Sequence, residues 1–220
     1  MERKSTLKSR GAYHHGDLRN ALIEHALAAL HAVGPESLSV RALAEEIGVS
    51  PSAAYRHFAD REALLAQLAQ IGFERLRESM ADAAAAAARR QPKAAVRAIG
   101  SAYVRFAVAE PELYRLMFGA QRVDKSKYPE LGSAAGAAYD TLRTAVMRMA
   151  PHAPQGSEEL ERLTLRCWAM VHGLASLRID RLIESGSDGE FVELADDLLG
   201  RVIQDAPAGA VERGDRLSQV

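Results

Sequence analysis

Apolar positions recur at three- and four-residue spacing along most of this chain, the repeat of one face of an α-helix. Leu22, Ala26, Leu30 and Val33 make the first stripe. Asp17 stands at its cap position, and Gly34 followed by Pro35 ends it, because glycine accepts the left-handed cap conformation and proline cannot continue a helix. Val40, Leu43, Ala44 and Ile47 form a second stripe behind Ser39, a residue type suited to an N-cap. Gly48 supplies a turn, and Ser50 caps a short third helix with Pro51 at its first position, where a missing N–H costs nothing. Asp60 caps a fourth helix, predicted to reach about Arg90 through the alanine run at 83–88, since alanine has the best intrinsic helix propensity. Further helices are predicted at 93–109, 111–119, 131–150, 158–184 and 189–204, with Pro111, Pro129, Pro151, Pro154 and Gly186 to Gly189 as breaks. The alternation of Val, Ile and Thr that marks a strand is absent. The pattern predicts an all-α chain of about nine helices: a flexible basic arm at 1–14, a three-helix helix-turn-helix domain at 15–62, a larger helical domain at 63–204 and a flexible tail at 205–220.

Periodicity and turn chemistry coincide most tightly at Ser39 to Phe58, SVRALAEEIGVSPSAAYRHF. Two short helices about a glycine turn are the form of a helix-turn-helix, whose second helix lies in the major groove while three helices lock around a small core. Ala54 and Phe58, four apart, can face that core. The opposite face then shows Ser52, Ala53, Tyr55, Arg56 and His57. A methyl such as Ala53's can meet a thymine methyl, and a guanidinium such as Arg56's can fork onto a guanine edge or hold a phosphate. Ser52, Tyr55 and His57 are candidate phosphate donors. Arg61, at the start of the fourth helix, is a candidate phosphate clamp. Ser39, Arg41 and Ser50 complete the expected DNA-facing set. The alternative for Tyr55 and His57 is an ordinary solvated surface.

The formal net charge is only -1, so no whole-chain basic excess drives nucleic-acid binding. Residues 1–62 carry as many acidic as basic side chains. Arg3, Lys4, Lys8 and Arg10, however, crowd the N-terminus against Glu2 alone, and such a block can meet phosphates. Cys167 is the only cysteine, which excludes a disulfide framework and a cysteine metal cluster. No apolar segment follows the N-terminal basic residues, and none approaches bilayer-spanning length; the expected location is the cytoplasm. His14 and His15 beside Asp17 lack a fixed third ligand, and no phosphate-cradling glycine loop is present. Cys167 and His172, five apart on one helix, point to different faces. No enzymatic site, metal or cofactor is expected.

The residues LSVRALAEEIGVSPSAAYRHFADREALLAQL, with the preceding DLRNALIEHALAALHAVGPESLSV, closely resemble the N-terminal DNA-binding segment of TetR-family transcriptional repressors over about residues 15–65. The family's pattern is met at Val40, Leu43, Ala44, Gly48, Val49, Ser50, Tyr55, His57, Phe58, Glu62 and Leu64. Pro51 stands where members often carry Lys or Arg, Ala53 where they carry Thr, Ala54 where they carry Leu, and Arg61 where Lys is common. The docking mode therefore carries over better than the base preference. The resemblance implies an all-helical, nine-helix, Ω-shaped homodimer that binds a palindromic operator and is released by a small ligand. PELYRLMF (111–118) and RCWAMVHGLASL (166–177) resemble the C-terminal domain of one TetR subgroup marked by Trp-x-x-x-His-Gly, met here by Trp168, His172 and Gly173.

Two assignments follow for the larger domain. Leu160, Thr164, Cys167, Val171, Leu174, Arg178 and Leu182, with Phe191, Leu194, Leu198 and Val202, recur at helical spacing and are the candidate dimer interface, as two helices from each of two chains make a four-helix contact. Intramolecular packing of the same stripes is the alternative. Tyr103, Phe106, Met117, Phe118, Tyr139, Trp168 and His172 are candidate lining of an apolar pocket with a few orienting polar groups. They equally suit simple core packing. The expected partners are double-stranded operator DNA, a second copy of the chain and an unidentified small apolar or amphipathic effector. The alternative is a homodimer that needs no ligand and is regulated by a protein partner.

Overall fold

A computed structural model describes residues 18–87, 91–119, 123–151, 153–154, 156–183 and 186–204. The basic arm, Asp17, Arg90 and the tail from Asp205 lie outside them. The described residues form nine α-helices and no strand. They are α1 (Leu18–Val33), α2 (Val40–Glu46), α3 (Pro51–Tyr55), α4 (Arg61–Ala87), α5 (Pro92–Ala109), α6 (Pro111–Phe118), α7 (Pro129–Met147), α8 (Glu158–Ile179) and α9 (Asp188–Gln204). The chain divides into two compact units between Leu64 and Leu65.

In the first unit α1 packs on α2 and α3. Leu22, Ala26 and Leu30 from α1 meet a core built from Val40, Leu43, Ala44, Ala54 and Phe58, all buried. Val33 departs from its expected stripe: it is the last residue of α1, just before Gly34 turns the chain, and is 53% exposed. Three helix starts are capped by a side chain. Ser39 Oγ accepts from Ala42 N at 3.4 Å, Ser50 Oγ from Ala53 N at 3.3 Å, and Asp60 Oδ1 from Ala63 N at 2.7 Å. Gly48 takes φ 74° between α2 and α3, the left-handed region that any L side chain enters at a cost.

In the second unit α5 is central, packed on α7, α8 and α9. A Cβ at Gly100 of α5 would collide with the end of the Leu199 side chain of α9, so an alanine there would force that side chain to move. Pro92, Pro111 and Pro129 each occupy the first turn of a helix. Pro129 therefore opens α7 two residues earlier than the break it was expected to impose, because proline's fixed φ suits the N1 position. Helix α8 ends at Ile179, short of the predicted 184. Arg181 adopts φ 56°, its N–H bonds Arg178 O at 3.1 Å and Leu182 N–H bonds Leu177 O at 2.9 Å, the two bonds of a Schellman cap.

Gly48→Ala tests the turn directly. A Cβ there meets nothing within 4 Å, so only backbone strain opposes it, and the variant should lose about 1–2 kcal/mol of stability in urea unfolding. An unchanged midpoint would mean the turn tolerates a side chain.

Candidate nucleic-acid interface and ligand cavity

Helix α3 is fixed by what it buries. Ala54 is 0% and Phe58, just beyond the helix, 3% exposed. Their burial leaves Ser52, Tyr55 and Arg56 exposed and Ala53 and His57 half-buried on the outward side. Tyr55 is 45% exposed. Ser50 and Ser52 hydroxyls lie 3.1 Å apart beside the helix start. On α2, Arg41 is exposed and pairs with Glu45 at 3.0 Å, while the half-buried Ser39 is the cap described above.

Arg61 is half-buried at the start of α4. Its Nε donates to Leu38 O at 3.0 Å and its Nη2 to Pro35 O at 2.6 Å. The guanidinium thus ties the start of α4 to the loop that delivers α2. Two backbone carbonyls inside the unit give it a bracing role, since each takes a charge-assisted bond at fixed distance.

The second unit encloses a cavity of about 460 Å³, within the range of small-molecule sites. Tyr103, Phe118, Tyr139 and Trp168 line it, joined by Phe73, Leu76 and Met80 of α4. Tyr139 and Trp168 meet edge to face at 5.8 Å. Along α7, Gly132, Ala135 and Gly136 face the space, and a Cβ at Gly136 would meet nothing within 4 Å. Three expected lining residues are elsewhere. Phe106 is half-buried outside the wall. Met117 is core, its sulfur pressed so close to Gly72 that a Cβ there would lie 2.6 Å from it. His172 sits behind the wall, its ring 5.5 Å from Trp168 and 4.9 Å from Phe118.

His172 closes a buried polar cluster. Its Nδ1 lies 2.7 Å from Tyr114 Oη and 2.9 Å from Tyr103 Oη, and the two phenols are 3.2 Å apart. Burial raises the pKa of both tyrosines and lowers that of His172. Those directions keep all three groups uncharged near neutral pH, consistent with their burial. Lys125, Phe73 and Tyr114 were missed by sequence reasoning; Tyr114 stands three and four residues before Met117 and Phe118 on α6, and Phe73 three and seven before Leu76 and Met80 on α4, a helical spacing that could have found them, whereas Lys125 lies between helices.

The expected dimer stripe divides. Leu160, Thr164, Cys167, Val171 and Phe191 are buried within the protomer, and Cys167 and Val171 lie on the cavity wall. This corrects their assignment to an interface: α8 turns that face toward α5 and α7. Arg178 is tied inside the chain as well, to Asp188 Oδ1 at 3.0 Å and over the Phe191 ring at 5.4 Å. Leu174, Leu198 and Val202 are half-buried. Leu182 and Leu194 are exposed, as are Leu165 at 52% and Leu177 at 39% on α8.

Comparison with protein families decides the relationship. The model for bacterial regulatory proteins of the tetR family matches residues 22–68, and that for the tetracyclin repressor-like C-terminal domain matches residues 96–202. The chain belongs to the TetR family. Among solved structures, a protein of unknown function from Rhodococcus sp. RHA1 is 34% identical, with 87% of this chain and 98% of that chain covered and a TM-score of 0.74. The TetR-family transcriptional regulator PfmR from Thermus thermophilus shares the fold at 18% identity, 83% and 97% coverage and TM-score 0.59. So does the fatty acid degradation regulator FadR from Bacillus halodurans, at 13% identity, 87% and 96% coverage and TM-score 0.64. Comparison with curated proteins finds no match.

TetR-family regulators are DNA-binding proteins rather than enzymes, and the helix-turn-helix of this one occupies the first unit. Among the described residues no group of three His, Cys, Asp or Glu side chains is placed to hold a metal, and no helix is long and apolar enough to cross a membrane. His14 and His15 lie outside the described residues.

The bracing role of Arg61 predicts that Arg61→Ala destabilises the TetR-type headgroup. Loss of two charged hydrogen bonds to backbone should cost about 1–3 kcal/mol, read by chemical unfolding. Full stability with selectively weakened DNA binding would contradict the bracing role and favour a phosphate contact.

Proposed function

We propose that this TetR-family regulator is a repressor that binds a palindromic operator as a homodimer and leaves it when a small apolar or amphipathic ligand fills the cavity of the second unit. The observation that carries the DNA-binding half is the divided α3. With Ala54 and Phe58 buried, the side chains Ser52, Tyr55 and Arg56 are presented together. We assign Arg56 to a base edge or phosphate, Ala53 to a thymine methyl, and Ser52, Tyr55 and His57 to phosphates, with Ser39, Arg41 and Ser50 at the rim.

A single headgroup reads few base pairs, so operator recognition calls for two, related by a two-fold axis. The exposed leucines of α8 and α9 support pairing through those helices: Leu165, Leu177 and Leu194 stand out on surfaces where large apolar groups would gain from being covered. Trp168, His172 and Gly173 fit the Trp-x-x-x-His-Gly subgroup. The cavity supports ligand control. Helix α4 starts within the first unit and supplies Phe73, Leu76 and Met80 to the wall. A ligand that prefers a different setting of α4 shifts the population away from operator binding, and operator must then weaken the ligand by the same factor.

Arg56→Ala and Tyr55→Ala should each weaken operator binding by about 1–3 kcal/mol where the contact is to a base, with unfolding curves like the wild type. Gel-shift titration on a fragment selected from the source genome measures this; wild-type affinity in both variants would show that α3 is not the reading element. Light scattering should give a dimer for the wild type and a monomer for Leu165→Glu combined with Leu177→Glu, with operator affinity lost in parallel. A dimer unaffected by both changes would place the contact elsewhere.

A further inference from the structure

Aromatic rings are scarce in this chain and gather at the cavity. Five of its twelve Phe, Tyr and Trp side chains, the one tryptophan among them, line the space. Four of the five are also linked in an arc. Ring centroids lie 5.1 Å apart from Phe73 on α4 to Phe118 on α6, and 4.9 Å from Phe118 to His172. The next steps are 5.5 Å from His172 to Trp168 on α8 and 5.8 Å from Trp168 to Tyr139 on α7. The ring planes meet at 77°, 72°, 41° and 82° in that order. His172 stands behind the wall and the other four rings belong to it. Rings held at such steep mutual angles present edges beside faces.

Helix α7 sets a flat surface next to this arc. Gly132, Ala135, Gly136 and Tyr139 share one face of the helix and all line the cavity, so nearly bare backbone leads up to the Tyr139–Trp168 pair. Packing does not impose those glycines. A Cβ at Gly132 would make an ordinary contact, 3.6 Å from Lys125 O, and one at Gly136 would meet nothing within 4 Å. Glycine inside a helix is less favourable than alanine, so the bare face serves the space rather than the helix. An alkyl chain gains from this wall by leaving water. An arene gains in the same way and adds edge-to-face and offset contacts with the rings. We infer that the effector carries a planar aromatic ring system, which lies along the bare face of α7 and meets the rings of Trp168 and Tyr139. This rests on the proposal that the cavity is the effector site, and adds the shape and π character of the ligand's body.

Three probes share ten carbons and one hydroxyl but differ in body: 2-naphthol, decahydro-2-naphthol and decan-1-ol. Each is titrated calorimetrically into the full chain near pH 7. Transfer from water alone favours the two saturated alcohols, which bear more apolar surface. The expected result is the reverse: 2-naphthol binds about threefold or more tighter than either, and the emission of Trp168 changes with the same midpoint. Trp168→Leu and Tyr139→Leu, their folds checked by thermal unfolding, should each remove most of that preference with little change for decan-1-ol. Gly136→Leu should weaken 2-naphthol while keeping or raising the unfolding temperature, since leucine is the better helix former. A saturated probe that binds the wild type as tightly as 2-naphthol, or a preference that survives both ring replacements, overturns the aromatic assignment and leaves the cavity as an effector site. Unchanged 2-naphthol binding in Gly136→Leu overturns the seat on α7. If none of the three probes binds, the effector site and this inference fall together.

Discussion

A helix of five residues has no stability of its own. Isolated helices shorter than roughly 12 residues are marginal in water, so α3, from Pro51 to Tyr55, exists only because its surroundings hold it. Ala54 and Phe58 are sunk in the core of the first unit, Ser50 caps the helix and Gly48 turns the chain into it. That seat also fixes rotation. Each residue of an α-helix is offset by about 100° from the next, so a slip of one position would turn Phe58 into solvent and Tyr55 into the core. Which side chains can meet DNA is therefore decided by apolar contacts on the other side of the same short segment. Arg61 extends that support by fastening the start of α4 to the carbonyls of Pro35 and Leu38.

The second unit works by the opposite rule. Its helices are long and its core well packed, but one region stays open. Gly132, Ala135 and Gly136 give α7 a face without bulk, while large rings at Phe118, Tyr139 and Trp168 form other parts of the wall. Protein interiors normally close such space, and here the walls are stiff aromatic groups, cross-braced edge to face and backed by the His172–Tyr103–Tyr114 cluster. The cluster joins α5, α6 and α8 through those contacts and so braces the wall from behind.

Helix identity was legible in the sequence wherever the signal was local. Ser39, Ser50 and Asp60 read as caps and act as caps; Gly34 and Gly48 read as turns and take positive φ. The burial of Ala54 and Phe58 followed from spacing alone. The failures share one cause. Helix α8 carries apolar side chains on more than one face, and periodicity cannot say which face meets the protomer and which remains outside. Leu160, Thr164, Cys167 and Val171 went inward, while Leu165 and Leu177, off the chosen stripe, stayed exposed. The cavity was harder still, since Phe73, Lys125 and Leu199 come from three distant parts of the chain. Arg61 shows the same limit for charge: only the folded loop reveals the two carbonyls that accept from it.

Hydroxyl-radical footprinting of the purified protein on DNA fragments selected from its source genome tests the central claim most directly. The account predicts two protected, symmetry-related half-sites centred about one helical turn or a multiple of it apart, both lost when Arg56 is replaced by alanine. A single asymmetric footprint, or a pair that persists unchanged in Arg56→Ala, would contradict it.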